Sequence, residues 1–72
     1  MSESETRSEL LRAVAELSEL FPEMRLGQMM ANLAMFAGRT DAGGVWDLDD
    51  AEALAAARQL INQRTADVAT AR

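Results

Sequence analysis

A chain of 72 residues holds one small domain, with no room for a nucleotide-binding α/β sheet, whose crossover units each take about 30 residues. It contains no Cys, His, Lys or Tyr, which excludes disulfides, thiolate and imidazole metal sites, His-based triads and Schiff-base chemistry. Twelve Asp and Glu against seven Arg give a net charge of −5, the wrong sign for neutralising phosphates and a suitable one for facing a basic partner.

The chain opens on Met-Ser-Glu-Ser-Glu-Thr, polar residues with nothing to bury, so residues 1–7 read as a disordered leader. The first helix is expected over about 8–21. Thr6-Arg-Ser-Glu9 has capping-box spacing, and Leu10, Val14, Leu17 and Phe21 recur on one helical face, widened by Leu11 and Leu20. Glu9, Arg12, Glu16 and Glu19 take the opposite side. Pro22 ends this element, because it disfavours the α conformation at Phe21 and has no N–H to donate. It also suits the first position of a second helix, expected over about 23–37 and stopped by Gly38 in a left-handed cap.

That second helix is apolar on more than one side. Ten of the fourteen residues from Met24 to Ala37 are apolar. Leu26, Met29, Met30, Leu33 and Phe36 form one stripe, and Gly27, Ala31, Ala34 and Gly38 form a second strip of small side chains. A helix of this kind is central in its fold or covered by a partner. Arg39 to Val45, with Gly43-Gly44, reads as a loop, after which Trp46 is expected to re-enter the core. Asp47-Leu-Asp-Asp-Ala-Glu52 marks the start of a third helix over about 48–64; either Asp47 or Asp49 can cap it, Asp49-x-x-Glu52 has capping-box spacing, and Leu54, Ala57 and Ile61 give its apolar face, with Ala53 and Leu60 beside it. Residues 65–72 hold Val68 as their one sizeable apolar anchor and are expected to fray.

The fold expected is therefore an all-α, small three-helix domain. Its core is expected to contain Leu10, Val14, Leu17, Phe21, Leu26, Met30, Leu33, Phe36, Trp46, Leu54 and Ile61.

Motifs that could carry chemistry are few. Asp41 to Glu52 counts like a twelve-residue calcium loop, but Gly43 and Val45 stand where ligating oxygens are required and Trp46 stands where the turn needs glycine. Arg25, Gln28 and Asn32 recur on one helix and are residue types that read base edges, yet residues 1–23 carry six acids against two Arg and lack phosphate anchors. The internal methionines Met24, Met29, Met30 and Met35 can pack as plain core or line an adaptable partner groove. Every carboxylate has a simpler surface or capping role than acid–base catalysis. No catalytic, cofactor or metal site is expected.

The run Phe21-Pro-Glu-Met-Arg-Leu-Gly-Gln-Met-Met-Ala-Asn-Leu33, followed by Val45-Trp-Asp-Leu-Asp-Asp50, resembles a pattern in short uncharacterised bacterial helical proteins. The resemblance implies a stand-alone helical domain and carries no activity with it. The function expected is a non-enzymatic protein-interaction or assembly module, a homodimer formed through the second helix. Its interface is expected to use Gly27, Gln28, Ala31, Asn32, Ala34 and Met35, with Gln28 and Asn32 setting register. An acidic, antitoxin-like inhibitor covering a basic site is the alternative, and a helix-turn-helix-like DNA-binding regulator the third. Met1–Arg7 is acidic and no uninterrupted apolar run follows, so a cytoplasmic location without a membrane span is expected.

Overall fold

The computed structural model describes residues 2–39 and 43–70, with side-chain environments given through residue 67. Three helices, α1 (Glu3–Leu20), α2 (Leu26–Phe36) and α3 (Asp50–Thr70), account for the regular structure in a small all-α domain. Thr40, Asp41 and Ala42 of the expected loop lie outside the described residues, as do the side chain of Val68 and residues 71–72.

α1 begins at Glu3 rather than near Ser8. Ser2 is the cap: its Oγ accepts from the Glu5 backbone N–H at 3.3 Å and donates to the Glu5 carboxylate at 3.1 Å. Thr6, expected as the cap, is already helical, and its hydroxyl donates to the Ser2 carbonyl at 3.0 Å. Ser2-x-x-Glu5 repeats the spacing of Thr6-x-x-Glu9, and no breaker lies between them, so the helix extends to the earlier of two equivalent starts. Most of the expected leader is thus the first turn of α1. Arg7 then fastens it to α3 through an ion pair with Asp50 at 2.7 Å.

Pro22 acts in a turn rather than opening α2. The Met24 N–H donates to the Phe21 carbonyl at 3.0 Å, which puts Pro22 at the second position of a four-residue turn, where its fixed φ is favoured. α2 therefore starts three residues later than expected, with Arg25 as a cap that makes no side-chain bond. Its end follows expectation. Gly38 has φ +89°, the Arg39 N–H reaches the Ala34 carbonyl at 2.8 Å and the Gly38 N–H reaches that of Met35 at 3.0 Å. These two bonds are the Schellman pattern, which a β-carbon at Gly38 would strain.

α1 and α3 run side by side in the same direction. Arg7 meets Asp50 near both starts, and the Arg64 guanidinium lies over the Phe21 ring near both ends. Their seam is narrow because alanines line it: Leu10, Ala13 and Leu17 from α1 pack with Ala53, Leu54, Ala56 and Ala57 from α3. Met29 and Leu33 of α2 complete the buried cluster, and Val14, Phe21, Met30, Leu48, Leu60 and Ile61 pack against it half-buried. Among the described residues the buried side chains are all apolar.

Three expected core residues lie at the surface. Trp46 is 91% exposed. The Asp47 N–H bonds to the Gly43 carbonyl at 3.0 Å and the Leu48 N–H to that of Val45 at 3.4 Å, a tight turn that carries Val45 and Trp46 outward and delivers Leu48 to the core instead. Leu26 is exposed because it is the first residue of α2, and helical side chains lean toward the N-terminus, past the packed segment. Phe36 sits at the other end of the same short helix and is partly exposed. α3 continues to Thr70, beyond the expected end near Arg64, since no Gly or Pro follows to stop it.

The start of α3 is closed from two directions. The Asp49 N–H donates to the Glu52 carboxylate at 3.2 Å, the return half of the expected capping box, and Arg39 donates to the same oxygen at 2.9 Å. These hydrogen bonds, that from Arg39 first, hold the Glu52 carboxyl below its ordinary value. A depressed carboxyl contributes stability that is present above its unfolded value and is lost as pH falls through the folded one. Melting temperatures of the parent are expected to fall more steeply than those of Glu52→Gln from about pH 5 to pH 3. Parallel curves would show that the pair leaves acid stability untouched.

Candidate functional site

The thinnest dimension of the molecule is 19 Å, two helices of about 10 Å each, so any site is a surface feature and not an enclosed chamber. An apolar groove of about 240 Å³ lies where all three helices meet. α1 supplies Leu17, with Phe21 just beyond its end, and the turn adds Met24. α2 supplies Met29, Asn32, Met35 and Phe36, and α3 supplies Leu60. Leu17 and Met29 are buried and form the floor, while Met35 and Phe36 stand exposed at the rim.

The groove stays open because α2 is short. Its 11 residues extend about 16 Å, against roughly 27 and 31 Å for the 18 residues of α1 and the 21 of α3. One short helix cannot cover the whole seam between two long ones. Three of the four internal methionines, Met24, Met29 and Met35, converge here, while Met30 packs half-buried against the core. Thioether side chains are flexible and polarizable and suit a surface that adapts to a partner.

One polar side chain lines the groove. The Asn32 amide N–H₂ donates to Met24 Sδ at 3.5 Å, a weak acceptor, and its carbonyl oxygen receives no protein donor among the described residues. One cation stands at the edge of the groove: the Arg64 guanidinium lies 4.8 Å from the Phe21 ring centroid.

The expected interface residues divide in two. Asn32 and Met35 come together in the groove. Gly27 and Gln28 lie exposed outside it, and no atom stands within 4 Å of a β-carbon built on Gly27. Ala31 is half-buried, but Ala34 is 2% exposed and therefore packed within its own chain. The strip of small residues is thus broken at Ala34, because the Schellman turn folds the chain back over the end of α2. Leu17, Phe21, Met24, Met29, Phe36 and Leu60 line the groove but were not part of the expected interface. Met24 and Met29 were signalled by their place among the methionines, and Met29 and Phe36 by the large apolar stripe of α2; Leu17, Phe21 and Leu60 belong to other elements, and periodicity within one helix does not bring them together.

The remaining polar surfaces have structural uses. Asp50 pairs with Arg7, Glu52 with Arg39, and Glu9 with Arg12 and Arg58. Asp50 and Glu52, at the end of the calcium-like count, are thereby occupied at the start of α3, and Asp41 lies outside the described residues. Among the described residues, no three acids gather in a geometry that could hold a metal ion. No helix among them is long and apolar enough to cross a membrane. Arg25, Gln28 and Asn32 do not form a free reading edge, since Asn32 turns into the groove. No protein-family model, curated protein or solved structure matches this chain.

Proposed function

We propose that this chain is a non-enzymatic protein-interaction module that self-associates through its second helix and the methionine-lined groove beside it. The observation that carries this reading is the open apolar groove, rimmed by Met35 at 62% exposure and by Phe36. An apolar concavity left open in so small a domain withholds burial that the fold needs. Below about 70–80 residues a single core rarely supplies more than ~3–5 kcal/mol, and oligomerisation is a common remedy. The side chains around the groove also lack a nucleophile with an adjacent base, which suits binding better than turnover.

Sedimentation across a range of concentrations tests the reading. The chain is expected to dimerise, with little weakening at high salt because the contact is mainly apolar. Met35→Glu, which places a charge on an exposed rim position, is expected to leave the monomer folded and abolish the dimer. A chain that stays monomeric, and instead binds a basic protein in a steeply salt-dependent manner, would establish the acidic-inhibitor reading in its place. Salt-sensitive binding to duplex DNA would do the same for the regulator.

A further inference from the structure

Trp46 is the only tryptophan of the chain and, among the described residues, the most exposed large apolar side chain, at 91%. The turn that closes at Asp47 presents it beside Val45, itself about half exposed, so two adjacent apolar residues project together from a polar loop. Elsewhere on the same molecule lies the open apolar groove described above. We propose that the two belong together across a two-fold dimer: Trp46 of each copy fills the groove of the other. This rests on the self-association reading above and names its central contact.

Size, chemistry and charge each support the match. At about 240 Å³ the groove lies below the roughly 300–1,000 Å³ of pockets that take drug-sized ligands, and it suits one large side chain rather than a helix. Its methionine sulfurs favour an aromatic ring, since thioether–aromatic contacts are attractive and the flexible side chains shape themselves to it. A buried indole brings a single N–H that needs an acceptor. The Asn32 carbonyl oxygen is that acceptor, on the one polar side chain that lines the groove among the described residues.

Asp47 and Asp49 follow Trp46 closely and, although near Arg39, form no ion pair among the described residues, while Arg64 lies over Phe21 at the edge of the groove. Insertion of Trp46 brings acids toward that cation. A tryptophan buries about 200 Å², and the groove lining exposes less than half of that, so reciprocal insertion buries roughly 300 Å² on each copy. The rest of the ~800 Å² per partner of a stable interface is drawn from exposed residues beside the two contacts, Val45 first among them. Reciprocal use of the same two features also closes the assembly at two copies.

The full chain tests this directly, because with no Tyr and one Trp its intrinsic emission reports on Trp46. Emission and sedimentation are followed together from low micromolar to near millimolar protein. The expected result is a shift of emission to shorter wavelength that tracks dimer formation. Trp46→Ala is expected to keep the helical circular dichroism of the parent monomer and weaken dimerisation by roughly 30-fold or more, the effect of losing a central tryptophan anchor. Equal dimerisation by Trp46→Ala, with parent emission unshifted in the dimer, would overturn the tryptophan contact and leave self-association through another face. A parent that stays monomeric with solvent-like emission would overturn both. Short-wavelength emission independent of concentration would show Trp46 folded onto its own groove and overturn the proposal in favour of an internal latch.

Discussion

Replacing Leu33 by alanine is expected to destabilise the domain by about 2–5 kcal/mol. Leu33 is 0% exposed and, with Met29, carries α2 into the cluster shared by α1 and α3. The loss has two parts, the transfer free energy of the removed carbons and the cavity left where the neighbours cannot collapse. At roughly 0.05–0.15 kcal/mol per residue, a chain of this size has a total stability of ~4–11 kcal/mol, so the substitution consumes a large part of it. Domains of this size lose about 4–8 °C of melting temperature per kcal/mol, so thermal denaturation resolves the effect readily. Leu11→Ala removes the same atoms from an exposed position of α1 and is expected to change stability by less than about 0.5 kcal/mol. Equal effects of the two would mean that α2 does not pack as described.

Enlarging Ala57 to leucine is expected to cost about 1–3 kcal/mol by overpacking. Ala57 is 0% exposed on the face of α3 that carries Ala53 and Ala56, and small side chains there let α1 and α3 lie close together. Three added carbons have no space unless the helices part, and parting them loosens the contacts of Leu10, Leu17 and Leu54 as well. Helix propensity does not enter, since alanine and leucine are both strong helix formers. Ala55→Leu, exposed on the same helix, serves as the control and is expected to be nearly neutral. Chemical denaturation of the two variants gives the comparison. A neutral Ala57→Leu would show that the seam between the two long helices has room to spare.

Both substitutions concern positions whose importance was unequally legible. Leu33 is a large apolar residue in a strongly apolar helix, and its inward position follows from composition and period alone. Ala57 was expected on the apolar face with Ala53 beside it, but Ala13 and Ala56, which had no part in an expected core face, are buried as well. An alanine carries little hydrophobic signal, and it becomes decisive only when a neighbouring helix approaches closely. The groove was half legible in the same sense. Its methionines were identifiable as an adaptable set, whereas the partners they meet on α1 and α3 were not.

From the sequence alone came the all-α class, the three helices in order, the stop at Gly38, the Asp49–Glu52 start of α3 and most of the inward apolar faces. These are local properties: period, capping chemistry and backbone freedom act within a few residues and need no tertiary partner. The tertiary structure alone decided the shared direction of α1 and α3, the burial of Ala34, the exposure of Leu26 and Trp46, and the opening of the groove. The reason is geometric. Periodicity specifies which face of a helix is apolar, but helix length and turn geometry decide where that face stops being covered. Trp46 and Leu48 stand two residues apart, both apolar, and only the turn between Gly43 and Leu48 determines which of them enters the core.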